Sequence, residues 1–291
     1  MHSSNGPILC WGEVLWDMFP DGRQLGGAVA NVAFHLAQLG AEVQLVSRIG
    51  DDELGREALT RLDAVGVDTS LVQVDPERPT GQVNVELEDG EPRYSLSAHA
   101  AWEYIEMDDQ AAAALQRASF MSVGTLAQRR AEGRASMHAA ARARGQGCKL
   151  VVDANVRPVH LDHDWLGDLL RMADVVKINE AEAALISKEL ADGGDALAWL
   201  HGEASVELVA LTRGAHGCRL STAANSAEHP GHSATPGGDN VGAGDSFVAV
   251  LLFGLSRGWS LTEIAERGNR YAAWVASNKG ATPSAGKPKL S

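Results

Sequence analysis

A short run near the C-terminal end of the chain holds the residues best suited to chemistry: Asp239-Asn240-Val241-Gly242-Ala243-Gly244-Asp245-Ser246-Phe247. Gly242 and Gly244 leave the backbone bare and free in φ/ψ. The apolar stretch SFVAVLLFGLS (246–256) predicts a buried helix that starts at this loop. A helix N-terminus presents unpaired N–H groups and partial positive charge, which suits an anion such as phosphate. Asp245 stands on the same turn, where a carboxylate is a candidate base. An anion cradle with a base beside it is what phosphoryl transfer to a hydroxyl requires. An Asp before an apolar run is also a common helix N-cap, and this segment alone leaves both readings open.

A second glycine segment, Gly26-Gly27-Ala28-Val29-Ala30-Asn31, opens the first long helical pattern. Paired glycines let a ligand approach the backbone, or simply make a tight turn. Asn31 offers both donor and acceptor atoms. Upstream, Asp17 stands at a strand end, as a ligand for two hydroxyls of a polyol or as a solvated loop residue. Arg157 follows the strand-like run 149–153, a position where open α/β sheets place their sites. It suits a phosphate or a surface salt bridge. The ten histidines form no H-x-x-x-H spacing.

These residues need a frame, and the chain supplies one. Strand-like runs at 8–14, 42–49, 120–124, 149–153, 175–179 and 208–212 alternate with helical patterns at 28–39, 54–65, 132–144 and 180–191. This β-α alternation predicts a parallel sheet covered by helices. Residues 71–97 break the rhythm, with strand-like segments and no helix between them. There 82–88 (QVNVELE) alternates, Asp89-Gly90 signals a hairpin, and 94–96 pairs back. The segment reads as a small antiparallel sheet, a lid over a site or an edge hairpin. A second hairpin is expected within 218–236.

The 291 residues, 45% hydrophobic, suffice for a sizeable core. A net charge of −13 argues against nucleic acid and anionic membrane as partners, and an anionic substrate would need a local positive site. Cys10, Cys148 and Cys218 are too few and too widely spaced for a disulfide framework or a zinc site, and read as core residues. The N-terminus has no basic n-region with a long apolar stretch, so a cytoplasmic location is expected.

Taken together, GGAVANVAFHLAQLG with SRIGDDELG, and DNVGAGDSF, resemble the two signatures of the ribokinase-like (PfkB) carbohydrate kinase family. Their order and separation match too. Between and after them stand DANVR (153–157), KINEAE (177–182), LTRGAHG (211–217) and GATPS (280–284), each in its expected place. The resemblance runs from about residue 8 to about 288, and GEVLWDMFP with DANVRPVHL is most like the bacterial fructokinase branch.

The resemblance implies a single three-layer α/β/α domain over 1–291, with a mostly parallel central sheet and a small antiparallel β lid from about 13–25 and 71–100. It implies ATP as cosubstrate, Mg²⁺ and K⁺ as ions, and a sugar hydroxyl as acceptor. Asp245 matches the general base, and Gly242, Ala243 and Gly244 the anion hole. Asp17, Gly27 and Asn31 match sugar contacts, with Arg157 assigned to substrate. Asn179 and Glu182 match the N-x-x-E segment that organises Mg²⁺ through water. Thr212, Gly214, Gly217 and Asn278 match nucleotide contacts. Asp239, Ser284 and the carbonyls of Val241, Asn278 and Gly280 match a monovalent cation site.

The pattern has departures. Val29 stands where many of these kinases carry Pro, the Lys of the ribokinase GGKGAN version is absent, and Asn240 replaces the commoner Thr. The segment 94–102 (YSLSAHAAW) lacks the arginine-bearing pattern of fructokinases, and its His99, Trp102 and the following Tyr104 either face the sugar or pack in the core. The resulting expectation is a fructokinase or a related hexose or keto-sugar kinase. Its alternatives are a nucleoside kinase and a catalytically silent sugar- or nucleotide-binding regulator. A homodimer through the lid sheet is also expected, and a monomeric elution at micromolar concentration would count against it.

Overall fold

The computed structural model describes residues 6–19, 22–88, 91–156, 163–283 and 286–290. Arg157, Ser284 and the Asp89-Gly90 turn signal lie outside them. The first half of the chain holds strands β1 (Ile8–Trp11), β2 (Leu15–Phe19), β3 (Gly22–Gly26), β4 (Val43–Gly50), β5 (Val72–Asp75), β6 (Gly81–Glu88), β7 (Glu91–Leu96) and β8 (Phe120–Val123). The second half holds β9 (Lys149–Asp153), β10 (Val175–Asn179), β11 (Leu208–Thr212), β12 (Cys218–Ser221) and β13 (Ser226–His229). Between and after them run helices α1 (Ala28–Gln38), α2 (Glu53–Ala64), α3 (Asp109–Arg117), α4 (Ala131–Ala143) and α5 (His163–Met172). The last four are α6 (Glu180–Glu189), α7 (Ala196–Gly202), α8 (Ala243–Ser256) and α9 (Leu261–Ala276).

The main sheet has the order β13-β12-β11-β10-β9-β8-β1-β4-β5. From β11 to β5 every pairing is parallel, and β12 with β13 forms the expected antiparallel hairpin at one edge. Helices cover both faces because strand side chains alternate between two apolar layers. In β1, Leu9 and Trp11 join the cluster under α3 to α7, while Ile8 and Cys10 join the one under α1, α2, α8 and α9. The expected α/β/α sandwich is thus what the chain adopts. The three cysteines are buried and free, as core residues. Among the described residues, no helix is long and apolar enough to cross a membrane.

The smaller sheet has the order β3-β2-β6-β7. Its β2–β3 and β6–β7 pairs are antiparallel hairpins, joined by a parallel β2–β6 pairing. The expected second segment, 71–100, needs one correction. Val72–Asp75 pairs with β4 at the edge of the main sheet, so this part of the smaller sheet begins at Gly81. A short apolar-polar strand carries no mark of which sheet it joins; the neighbouring β4 edge decides it.

Parallel register brings the strand ends to one edge of the main sheet. Asp153 of β9 faces Lys177 of β10, and Asn179 at the end of β10 faces Thr212 at the end of β11. Ligand sites of open α/β sheets form at this edge.

Candidate active site

Helix α8 begins at Ala243, three residues before the expected start, so Gly244 and Asp245 lie in its first turn. Gly242 is the N-cap, with φ 74° and ψ 0°, a left-handed conformation that favours glycine. Asn240, at φ 60°, is left-handed as well. Asn is among the non-glycine residues that adopt that region most readily. The first-turn N–H groups of α8 have no partner within the helix.

Across from this turn stands the N-terminus of α1. Asn31 Nδ2 donates to Asp245 Oδ2 over 2.8 Å in a buried hydrogen bond, although 214 positions separate the two. Asp245 is therefore more than a helix cap, because its carboxylate is drawn to the other glycine segment. Gly27, the N-cap of α1 at φ 105°, packs against the backbone of Glu13. Asp17 lies on β2, and a Cβ added to Gly26 would come 2.5 Å from Asp17 Oδ2. Asp17 thus stands beside Gly26, next to Gly27 at the start of the helix whose Asn31 meets Asp245.

Glu13 belongs to the same cluster, and no role follows for it from the sequence. It is 1% exposed, and its Oε1 accepts a 2.8 Å bond from Ala28 N, which caps α1 in place of a side chain at Gly27. Burial pushes its carboxyl up to about 7 against the backbone hydrogen bonds, and the Asp245 charge adds to the rise. The clue is a Gly-Glu pair at the end of an apolar strand, where a carboxylate is rarely buried without a task.

Asn179 and Glu182 form a reciprocal capping box at the start of α6. Glu182 Oε2 accepts from Asn179 N at 2.8 Å and Oε1 from Val156 N at 3.0 Å. Burial raises the Glu182 pKa, opposed by the Lys177 charge. Asp153 keeps one buried carboxylate oxygen, Oδ2, without a hydrogen-bond partner among the described residues. Two close carboxylates with lone pairs to spare fit a hydrated divalent cation, as the N-x-x-E resemblance implies. Among the described residues no group of three or more His, Cys, Asp or Glu could hold a metal directly.

Lys177, also without a role in the sequence reading, lies 5% exposed with Nζ 3.0 Å from Asp153 Oδ1. Burial alone would lower its pKa, but the charges of Asp153, Glu182 and Asp245 outweigh that and raise it. A lysine inside the apolar strand VVKIN was the available signal, since buried lysines are almost always paired.

The loop after α9 completes one wall. Asp239 Oδ2 accepts from Gly280 N at 2.8 Å and Oδ1 from Val241 N at 3.1 Å, while Asp239 N donates to Asn278 O at 3.2 Å. Asp239, Val241, Asn278 and Gly280 are thus brought together, and their oxygens make a donor set suited to a hard monovalent cation. A Cβ on Gly280, at φ 78°, would strike Gln24 Oε1, so β3 of the smaller sheet meets this loop. His35 fixes the loop from beneath: its Nε2–H donates to Ala281 O at 2.9 Å, and burial lowers its pKa to about 4.

Thr212 ends β11, and Gly214, at φ 56°, starts a short 3₁₀ turn. Gly217, at φ 85°, meets the backbone of His229, so the close approach it allows is to the hairpin of β12 and β13. Asn278 Nδ2 is held by Trp274 O at 2.6 Å, which leaves its carbonyl rather than its amide facing the Asp239 loop. Trp102 is 1% exposed and belongs to the core, whereas His99 is exposed at φ 56° with Nδ1 3.2 Å from Tyr104 Oη.

The sequence pattern described as pfkB family carbohydrate kinase matches residues 21–288. A fructokinase of Escherichia coli is 32% identical over 258 residues, covering 84% of this chain and 83% of its own. One from Klebsiella pneumoniae is 30% identical over 268 residues, covering 87% and 85%. Among solved structures, an uncharacterized sugar kinase from Pyrococcus horikoshii superposes with a TM-score of 0.82 at 25% identity, covering 97% of this chain and 95% of that one. A fructokinase with bound ATP from Xylella fastidiosa shares the fold with a TM-score of 0.84 at 24% identity, covering 95% and 94%.

Proposed function

This chain belongs to the pfkB family of carbohydrate kinases, and we propose that it transfers the γ-phosphoryl group of ATP to a hydroxyl of fructose or of a related hexose or keto-sugar. The observation that carries the reading is the buried Asn31–Asp245 hydrogen bond. It joins the polar opening of α1 to the anion-binding turn of α8, so that a hydroxyl and a phosphoryl group can meet beside one carboxylate.

In this reading the sugar lies against Asp17, Gly27 and Asn31, with Arg157 reaching the substrate. Its hydroxyl oxygen attacks the γ-phosphorus while its proton passes to Asp245. The bond from phosphorus to the β–γ bridging oxygen breaks, and its electron pair leaves with ADP. Little free alkoxide exists near neutral pH, so the base acts late, as charge develops in a loose transition state. N–H groups of Gly242, Ala243 and Gly244 meet the charge on the equatorial phosphoryl oxygens. Thr212, Gly214, Gly217 and Asn278 line the nucleotide. Mg²⁺, when bound, neutralises phosphate charge, and Asn179 and Glu182 would hold it through water. Asp239, Ser284 and the carbonyls of Val241, Asn278 and Gly280 would hold K⁺ behind the anion hole. The smaller sheet closes over the sugar and keeps water from the γ-phosphate.

The deciding experiment is an ATP-consumption screen over sugars and nucleosides with Mg²⁺ and K⁺. Fructose or a related keto-sugar is expected to turn over fastest. Turnover on nucleosides alone would make the chain a nucleoside kinase, and none on any compound would favour the silent regulator. Replacing K⁺ by tetramethylammonium in the same assay should lower the rate; an unchanged rate removes the cation site. Asp17→Ala should raise the sugar KM by about 10- to 100-fold, the worth of a charged hydrogen bond, with little change in the ATP KM. Equal effects on both constants would contradict its place beside the sugar.

A further inference from the structure

Helix α1 carries two buried polar side chains one turn apart, and the transfer just described uses only the first. Asn31 and His35 are 5% and 0% exposed, and their four-residue spacing puts them on one face of the helix. Asn31 meets Asp245 in the first turn of α8. His35 meets the loop after α9, with Nε2 2.9 Å from Ala281 O. That carbonyl can only accept, so Nε2 carries the ring proton and Nδ1 accepts from the Tyr271 hydroxyl at 3.3 Å. Burial lowers the His35 pKa to about 4, so the ring is neutral near pH 7. Tyr271, on α9, is likewise 0% exposed. An apolar pair of the same shape could fill this part of the core at little cost in stability. What the polar pair adds is direction, a hydrogen bond aimed at one backbone atom. Ala281 is also the residue that backs the N-terminus of α8. Gly242 fits against it so closely that an added Cβ would lie 2.6 Å from Ala281 Cα. Helix α1 therefore holds the first turn of α8 at two points. Asn31 meets the carboxylate of Asp245 directly, and His35 supports Gly242 through Ala281. One contact alone would leave that turn free to pivot about Asp245, whereas two fix where its N–H groups point.

We propose that His35 is a positioning residue for phosphoryl transfer: through Ala281 it holds Gly242 and the anion-hole N–H groups in register with the Asp245 carboxylate. The proposal rests on the reading of 242–244 as the phosphoryl site. It explains why a histidine and a tyrosine are buried together in an otherwise apolar layer. It also makes α1 the common support of three parts of the reaction, because the helix that presents Gly27 and Asn31 to the sugar also steadies the base and the anion hole. Such alignment matters, since a misplacement of about 1 Å costs on the order of 10² in rate.

The test compares wild type with three variants. His35→Phe fills the space but cannot donate, and His35→Gln keeps an amide N–H near the place of Nε2. Tyr271→Phe loosens the core but leaves the bond to Ala281 intact. With a sugar that the wild type phosphorylates, His35→Phe should lower kcat about 100-fold while the sugar KM holds. His35→Gln should restore most of that loss, and Tyr271→Phe should lower the melting temperature without lowering kcat. A second readout needs no turnover: the rise in melting temperature when fluoroaluminate, a mimic of the phosphoryl group in flight, is added to protein with sugar, ADP and Mg²⁺. That rise should vanish in His35→Phe and persist in the other two. If kcat falls in Tyr271→Phe as it does in His35→Phe, or His35→Gln restores nothing, His35 is only a core residue and the proposal is overturned. A His35→Phe enzyme with wild-type kcat overturns it too. Where His35→Phe does not fold, nitrogen-15 NMR of the wild type decides. The Nε2–H signal missing from His35→Gln should shift when sugar, ADP, Mg²⁺ and fluoroaluminate bind, and an unmoved signal overturns the proposal. A wild type that phosphorylates no sugar is a different failure: it removes the kinase reading itself, and this proposal with it.

Discussion

Asp245→Asn is expected to lower kcat by about 10³-fold, within the range general bases contribute, while the ATP Kd stays close to wild type. The substitution keeps shape and removes only the charge and basicity. An Asn oxygen still accepts the bond from Asn31 Nδ2, so α1 and α8 stay joined as they are through the 2.8 Å contact. The loop from Thr212 to Gly217, proposed to line the nucleotide, lies on β11 and the turn after it rather than on α8. Glu13, whose carboxyl feels the Asp245 charge, is tied through Oε1 to Ala28 N at the start of α1 and is left in place by the substitution. Single-turnover rates with calorimetric ATP binding check the split. Turnover within tenfold of wild type would remove Asp245 as base, and loss of ATP binding would make it a binding residue.

The same residue shows how much of the site is legible in the chain. The glycines around Asp245 announce a loop and a helix start, because glycine spacing and apolar runs are local signals. Local signals also give the frame: the order of strands and helices is readable, with helix ends displaced by a few residues as at Ala243. What they do not carry is contact between distant segments. Whether Asp245 caps its own helix or faces α1 is decided by Asn31, and only the folded chain brings the two together. Val72–Asp75 joins the main sheet rather than the smaller one for a similar reason, since its partner β4 lies far from it in sequence. Glu13 and Lys177 carry no local signal, because each belongs to a run that reads as plain strand. Their meaning comes from burial beside like or opposite charges, which no spacing rule encodes. Family motifs narrow this gap for residues they contain, yet Asn179 and Glu182 show their limit. The motif assigns them to Mg²⁺, whereas the structure first explains them as the cap of α6.

Gly242→Ala should cost about 10²–10³ in kcat, as much as losing a donor from an oxyanion hole. Two effects act on one methyl group. The residue sits at φ 74°, where a side chain costs about 1–2 kcal/mol. The added Cβ would also lie 2.6 Å from Ala281 Cα and 2.7 Å from Ala281 O, and backbone atoms do not swing aside as a side-chain end does. Ala281 cannot yield easily either, since its carbonyl is held by buried His35, whose Nδ1 lies 3.3 Å from Tyr271 Oη. The strain is therefore relieved on the other side, by a shift of the α8 N-terminus and its N–H groups. Gly244→Ala supplies the contrast: its Cβ meets only the flexible end of Lys177, so its melting temperature should fall less than that of Gly242→Ala. Thermal unfolding and kcat measured on both variants test this. A Gly242→Ala protein with wild-type kcat would mean that the phosphoryl group is held somewhere other than the first turn of α8.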